Sequence, residues 1–294
     1  MSYLKQYQYV IAAAECGSIS AAAERLGVSQ PTFSKYLKKL EEELGVELLD
    51  RSTLPVRPTA AGECFVRAGR KFLDLDRQLT KELADIKESS AVTVRVGISP
   101  SRSPYTMPAI LSLFKKRCPE GRVAIVEEKT AELNEMLTSG DIDLLISIDG
   151  EGTGSFERTE LFSEELLLAI PDTLTESDPI KILSGDSMIS VGRGQAIWRT
   201  LASVCEKIGT PMPKIECQSI ESAMALVERG IGSTIVPSYI ARGGHRGVRF
   251  LPIPKEISDG AARQVCLYYR KEQFLSEAER EFAAAVIDCE KGGK

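Results

Sequence analysis

The chain has 294 residues, with 42 acidic and 37 basic side chains, a net charge of -5, 43% hydrophobic and 27% charged residues. That length points to two or three domains, and the composition is that of a globular chain, which argues against a disordered or a membrane-spanning one. The opening stretch MSYLKQYQYV carries no basic region followed by an apolar run, and runs such as Leu166 to Ile170 are far shorter than the ~20 residues a bilayer requires. The expected location is therefore the cytoplasm, with no membrane association. Seven scattered cysteines (Cys16, Cys64, Cys118, Cys205, Cys217, Cys266 and Cys289), with no CxxC pair, read as reduced and mostly buried thiols. The single histidine, His245, lies in a Gly- and Arg-rich stretch and reads as a solvated loop residue. Ser-His, Cys-His and metal-ligand chemistry thus lack their usual partner, so the expectation is no enzyme, no metal and no cofactor.

From Met1 to Glu88 nearly everything reads as helix. Leu4, Tyr7, Val10 and Ala14 recur at helical spacing until Cys16-Gly17. A second short helix follows Ser18, places Ala21, Ala22 and Leu26 inward and stops at Gly27. Ser29 then caps a third helix whose first turn accepts Pro31, because an amide there would lack an intrahelical partner anyway. Phe33, Leu37, Leu40 and Leu44 form one stripe of this helix, with Lys35 almost opposite and Pro31, Thr32, Lys38 and Lys39 around it. Two short helices followed by one with a cationic outer face describe either a helix-turn-helix unit or a small bundle with solvated lysines.

The ordered run from Gly17 to Lys35 (GSISAAAERLGVSQPTFSK), continued by Leu40 to Arg51 (LEEELGVELLDR) and closed by Pro58 to Gly62 (PTAAG), resembles the LysR-type transcriptional regulators. Leu49-Asp50 and Pro58 depart from the family's usual residues but keep their roles. The resemblance implies a winged helix-turn-helix over residues 1–58 that binds double-stranded operator DNA as an inverted repeat. Ser29, Gln30, Pro31, Thr32 and Ser34 match positions at the major groove, where glutamine suits an adenine edge. Lys35 and Lys38 would hold phosphates. Residues 45–58 match the wing, in which Arg51 and Arg57 would reach the backbone or minor groove; Arg51 equally suits an ion pair with Glu47 or another nearby acid.

Residues 59–90 read as a long helix in which Phe72, Asp76, Leu79, Leu83 and Ile86 repeat at 4-3-4-3, with Phe65 and Gly69 upstream. Such a seam suits pairing with a second chain or packing on its own domain. The resemblance implies the former: a linker helix making a dimer through Phe65, Phe72, Leu79, Leu83 and Ile86, with assembly to a tetramer expected.

The boundary is placed at Ser89-Ser90-Ala91, beyond which short β-branched runs alternate with helices. Val92–Ile98, Val123–Glu127 and Ile142–Ile148 read as strands, with helices from Pro104 to Lys116 and from Ala131 to Ser139. A second set begins at Glu164, with strands Leu166–Ile170, Met188–Val191, Ile215–Cys217 and Ser233–Val236. The strand Gln264–Tyr269 and a helix opened by a Ser276/Glu279 capping box return to the first set. The pattern predicts mostly parallel sheets with helices on both faces. An α/β domain, which the resemblance implies is effector-binding, thus spans 91–294, with subdomain 1 at about 91–162 plus 267–294, subdomain 2 at about 163–266, and crossovers near 162–164 and 262–267.

Gly140 to Leu144 (GDIDL) and Val227 to Pro237 (VERGIGSTIVP) add to the resemblance, which implies a periplasmic-binding-protein-like α/β domain that closes on a small molecule. Ligands sit beyond the carboxyl ends of parallel strands. That rule selects Ser99, Pro100, Ser101 and Arg102, then Ser147, then Gly192, Arg193, Gly194 and Gln195, a set suited to a carboxylate or similar anion. Some family members sense peroxide, but the Gly194–Trp198 stretch lacks the cysteine that role requires, so Cys205 and Cys217 read as ordinary thiols. Residues 1–88 hold 13 basic and 13 acidic side chains and residues 89–294 hold 24 and 29, so the acidity lies outside the DNA unit.

Overall fold

A computed structural model describes residues 3–52, 54–86, 93–150, 156–193, 196–258, 263–271 and 273–291. The expected boundary at Ser89-Ser90-Ala91 lies outside them. The first three helices are α1 (Tyr3–Cys16), α2 (Ile19–Arg25) and α3 (Gln30–Leu44), followed by a small wing of β1 (Leu49–Asp50) paired antiparallel with β2 (Arg57–Pro58). The Ser18 and Ser29 hydroxyls cap α2 and α3 by accepting the Ala21 and Thr32 amides. Gly45 ends α3 at φ 70°, a conformation that costs a Cβ-bearing residue energy. Tyr9, Val10, Ala13, Ala22, Phe33, Leu37, Leu40, Leu48 and Val56 form one buried core. Leu44, on the expected stripe, lies past its end and is 45% exposed.

The long helix α4 (Ala60–Ile86) leaves this core and reaches the C-terminal domain. Its first turns belong to the helical domain. Phe65 packs on Tyr7 with ring centroids 4.9 Å apart, and a Cβ on Gly69 would come within 2.5 Å of the same ring. Phe65, half-buried, thus packs against the core of its own domain where α1 crosses α4. Beyond it Phe72, Leu75, Leu79, Leu83 and Ile86 are all exposed. Leu75, which the heptad reading passed over, adds to the apolar stripe.

The C-terminal domain runs β3 (Thr93–Ile98), α5 (Ser103–Arg117), β4 (Arg122–Glu127), α6 (Thr130–Ser139), β5 (Leu144–Ile148) and β6 (Phe156–Glu164). Then follow β7 (Leu166–Pro171), α7 (Pro179–Leu183), β8 (Met188–Val191), α8 (Ala196–Ile208), β9 (Ile215–Cys217), α9 (Ile220–Glu228) and β10 (Ser233–Pro237). A 3-10 turn (Ser238–Gly243), β11 (Val248–Pro252), α10 (Lys255–Ser258), β12 (Arg263–Arg270) and α11 (Glu277–Lys291) complete the chain. At the start of α11 the Ser276 amide and hydroxyl donate to Glu279 Oε2 (2.8 and 2.9 Å) and the Glu279 amide donates back to Ser276 Oγ (3.3 Å), which is the capping box expected.

Two five-stranded sheets result, ordered β4-β3-β5-β12-β6 and β9-β8-β10-β7-β11. Each has a parallel trio, but β12 runs antiparallel to both β5 and β6, and β7 antiparallel to both β10 and β11. The sheets are thus mixed, not mostly parallel. The sequence reading missed β6 and β11, whose partial exposure along the sheet edge weakens their apolar signal. β12 already lies wholly in the first sheet at Arg263, so the return crossing falls between Pro252 and Arg263 instead of at 262–267. Separate buried clusters fill the two subdomains.

Candidate functional site

The outer face of α3 is built as its cap and stripe dictate. With Phe33, Leu37 and Leu40 buried, Gln30, Pro31, Thr32, Lys35 and Lys38 are exposed and Ser34 is half-buried. Ser29 sits at the cap, its hydroxyl 2.8 Å from that of Thr32. Lys38 lies 3.9 Å from Glu42 in an exposed i, i+4 pair, an arrangement that contributes little in water and releases the lysine readily to a phosphate. Two amide donors of the wing, Leu48 and Leu49, bond to Glu41 Oε1 at 2.9 and 3.1 Å. Glu41 Oε2 takes Arg51 Nη2 at 2.6 Å. Arg51 thus realises the ion-pair alternative, with Glu41 and not Glu47 as its partner, and Glu41 fastens the wing to α3. Arg57 is exposed on β2.

In the C-terminal domain, Ile98 and Ile146 are register partners on parallel β3 and β5. Ser99 directly follows β3 and Ser147 is one residue past Ile146 in β5, so both lie at the carboxyl edge of the sheet. The Ser99 carbonyl accepts the Arg102 and Ser103 amides, turning the chain into α5. Pro100 is exposed and Ser101 half-buried, with the Tyr239 hydroxyl 3.3 Å from Ser101 Oγ. Tyr239 belongs to the 3-10 turn of the other subdomain, so this contact spans the cleft. Gly192, at φ 63°, ends β8 opposite, and Arg193 is exposed. Gly194 and Gln195 lie outside the described residues.

Arg102 is not the free cation that sequence suggested. It is 3% exposed and pairs with Glu164, itself 1% exposed, at 2.8 Å, because the turn after β3 drives its side chain inward. Arg263 pairs with the second oxygen of Glu164, and the Arg102 guanidinium lies 4.8 Å from the centroid of the Tyr239 ring. Glu164 and Arg263 are register partners at the ends of β6 and β12, so the cluster sits where the chain passes between subdomains. It holds two cations and one anion, with Arg102 Nη1 and Arg263 Nε buried and unpartnered by any hydrogen bond. Burial pushes the Tyr239 hydroxyl up from its usual range despite the neighbouring Arg102. Sequence reasoning missed Glu164, Tyr239 and Arg263; the only signal for the two charged residues was their place at the ends of β6 and β12.

His245 departs from the solvated histidine expected. Its side chain is 16% exposed and its Nδ1 lies 2.8 Å from Glu228. Cys205 is buried, and burial pushes its thiol up, as it does that of Cys217; neither site favours a thiolate. Among the described residues no cluster of His, Cys, Asp and Glu is arranged to hold a metal, and no helix is long and apolar enough to cross a membrane.

Comparison with known proteins agrees with both halves of this architecture. Residues 4–63 match the bacterial regulatory helix-turn-helix protein, lysR family, and residues 87–288 match the LysR substrate binding domain. A hydrogen peroxide-inducible genes activator of Haemophilus influenzae is 28% identical over 294 residues, covering 97% of this chain and 96% of the relative. The DNA-binding transcriptional dual regulator OxyR of Escherichia coli is 28% identical over 290 residues, covering 96% and 94%. Among solved structures, a full-length OxyR variant from Pseudomonas aeruginosa superposes with a TM-score of 0.73 at 24% identity, covering 99% of this chain and 95% of that one. Full-length CbnR complexed with its target DNA gives 0.69 at 24%, covering 98% and 100%. With a helix-turn-helix and an effector-binding domain matched over nearly its whole length, the chain belongs to the LysR family of DNA-binding transcriptional regulators and is not an enzyme.

Proposed function

We propose that this regulator works in the cytoplasm as a dimer, and further as a tetramer, on an inverted-repeat operator. Ser29, Gln30, Pro31, Thr32, Ser34, Lys35 and Lys38 enter the major groove, and the wing, with Arg57 and Arg51, follows the backbone. Pairing uses the exposed stripe Phe72, Leu79, Leu83 and Ile86, to which Leu75 is added. The observation that carries the DNA reading is the capped, exposed polar face of α3 fixed to its wing through Glu41.

The effector is a small anion held near Ser99, Ser101, Ser147, Gly192, Arg193 and Gln195. Arg102 contributes its field from beneath the site and not a free fork. The unit excess of positive charge shared by Arg102, Glu164 and Arg263 supports that class. Binding there changes the closure of the subdomains and, through unequal affinity for the two arrangements, the spacing of paired reading heads. Several relatives are described as hydrogen peroxide-inducible genes activators, whereas residues 194–198 of this chain, where a thiol-based response would need its cysteine, contain none.

A thermal-shift series with acetate, benzoate, sulfite and thiosulfate beside uncharged analogues tests the effector. Saturable stabilisation by an anion that Ser99→Ala/Ser101→Ala abolishes is expected; equal response to the neutral analogues, or an unchanged response in the double variant, overturns it. Selection from random duplex DNA tests the operator, with an inverted repeat expected and salt-sensitive but sequence-blind retention as the contrary result.

A further inference from the structure

Both legs of the wing are fastened to the helical domain, and its tip carries the most exposed large apolar side chain among the described residues. Leu54 is 88% exposed, more than any residue of the α4 stripe. On the leading leg the Leu48 and Leu49 amides and the Arg51 guanidinium are all held by Glu41 of α3. The Ser52 amide and hydroxyl then both donate to Asp50 Oδ1, at 2.8 and 2.6 Å. On the returning leg the Val56 amide donates to the Gly17 carbonyl at 2.8 Å, and the Val56 side chain is buried in the domain core. A Cβ on Gly17 would come within 2.8 Å of Pro55, so Pro55 lies flush on the turn between α1 and α2. The braced loop leaves Leu54 standing in water.

Single exposed apolar side chains are ordinary on protein surfaces; what marks this one is its setting. Leu54 stands between Arg51 and the exposed Arg57, on a loop tied to the helix that displays Gln30, Lys35 and Lys38. When α3 lies in the major groove, the wing is carried with it to the adjoining backbone, where its cations favour the phosphate-lined minor groove. An apolar tip is selective there in a way that a basic one is not. An A·T pair presents acceptors and the C2–H of adenine on the groove floor, whereas guanine puts its N2 amine at that place. The amine takes the space the leucine would fill and loses its water with nothing to accept from it.

We infer that Leu54 is a minor-groove wedge that adds a preference for A·T pairs beneath the wing tip. This preference is read without a hydrogen bond and is separate from what Gln30 reads in the major groove. The inference rests on DNA binding by α3 and is independent of the effector.

The test uses full-length protein and an operator recovered by selection. Each pair flanking the α3 contacts is changed in turn to G·C and to inosine·cytosine, which keeps the major-groove edge of guanine and lacks the N2 amine. Wild type is expected to lose about tenfold in affinity where G·C falls under the wing tip, and to regain it with inosine. Leu54→Ala is expected to bind the A·T, G·C and inosine duplexes within about twofold of one another, with urea unfolding unchanged because the side chain is exposed. Wild type that tolerates G·C, or that binds inosine as weakly as G·C, overturns the proposal. So does a Leu54→Ala variant that keeps the preference, and one that keeps it while dissociating in sedimentation places Leu54 in a contact between copies of the chain. Protein that selects no sequence overturns the DNA reading and this inference with it, whereas an inverted repeat indifferent at its flanking pairs overturns the inference alone.

Discussion

The α3 face proposed to read DNA and the crossover cluster both present cations, in opposite settings. On α3, Lys35 and Lys38 stand in water and the helix would fold without them. At the crossovers Arg102 and Glu164 are almost wholly buried, and the local structure depends on their pairing. Charge displayed for a partner can be deleted at little cost to the fold, whereas charge sequestered between subdomains cannot, and this difference separates residues that bind from residues that hold the binding site in shape.

The largest effect that would sharpen this contrast is expected from Glu164→Ala. Two arginines would lose their shared carboxylate inside the protein, and a loss of about 3–5 kcal/mol in urea unfolding follows. A loss below about 1 kcal/mol would mean that the cluster is not a structural keystone. Gln30→Ala should instead leave unfolding unchanged while costing about 1–3 kcal/mol of discrimination at one base pair of the selected operator. A comparable fall in stability would break the distinction. Ser29→Ala lies between the two, since the lost cap of α3 costs about 1 kcal/mol of stability and loosens the turn that presents Gln30. Lys35→Ala is the gentlest change: binding weakens evenly across sequences and the slope of log affinity against log salt falls by about one.

Acid provides a further lever on the buried charge. Burial works against ionisation of Asp143, but the hydrogen-bonded Arg95 and the Lys81 amine outweigh it and hold its carboxyl below the usual range. The folded chain thus binds fewer protons at this site than the unfolded one. The resulting stability is complete above the ordinary carboxylate range of about pH 4 and is lost as pH falls through the depressed value. Glu279 has the opposite sign: burial and the neighbouring Asp143 raise it, so its ionisation costs stability as pH rises through that raised value. Glu279→Gln should therefore flatten the unfolding profile on the neutral side and leave the acid limb. An unchanged profile in urea titrations across pH 3–7 would refute this assignment.

What could be read from sequence divides along the same line. Ser29, Pro31 and the Phe33–Leu37–Leu40 stripe declare a capped amphipathic helix, because cap and period are local and the face they leave out is the exposed one. The capping box at Ser276 and the strands of both parallel trios were legible for the same reason. Arg102 was misjudged because a cation after a strand looks alike whether it turns to solvent or inward; only Glu164 and Arg263, sixty and more residues away, decide. His245 failed similarly, since its partner Glu228 sits on another element. Phe65 and Phe72 fit the heptad equally and Tyr7 of the crossing helix packs on both; what separates them is exposure, Phe65 being half-buried against the core and Phe72 53% exposed. The strands β6 and β11 were lost because edge strands alternate weakly.

The exchange of strands between the two sheets has a mechanical consequence. One residue after β6 the chain enters β7, the antiparallel strand of the second sheet, and after β11 and α10 it enters β12, the antiparallel strand of the first. The exits are adjacent, Glu164 beside Arg263 on one side and Leu167 beside Pro252 on the other. With both passages leaving each sheet at neighbouring residues, swinging about the line through those exits is expected to be softer than sliding or twisting across it. One angle then describes most of what the cleft can do, and a ligand needs only to select a value of that angle to be felt outside it.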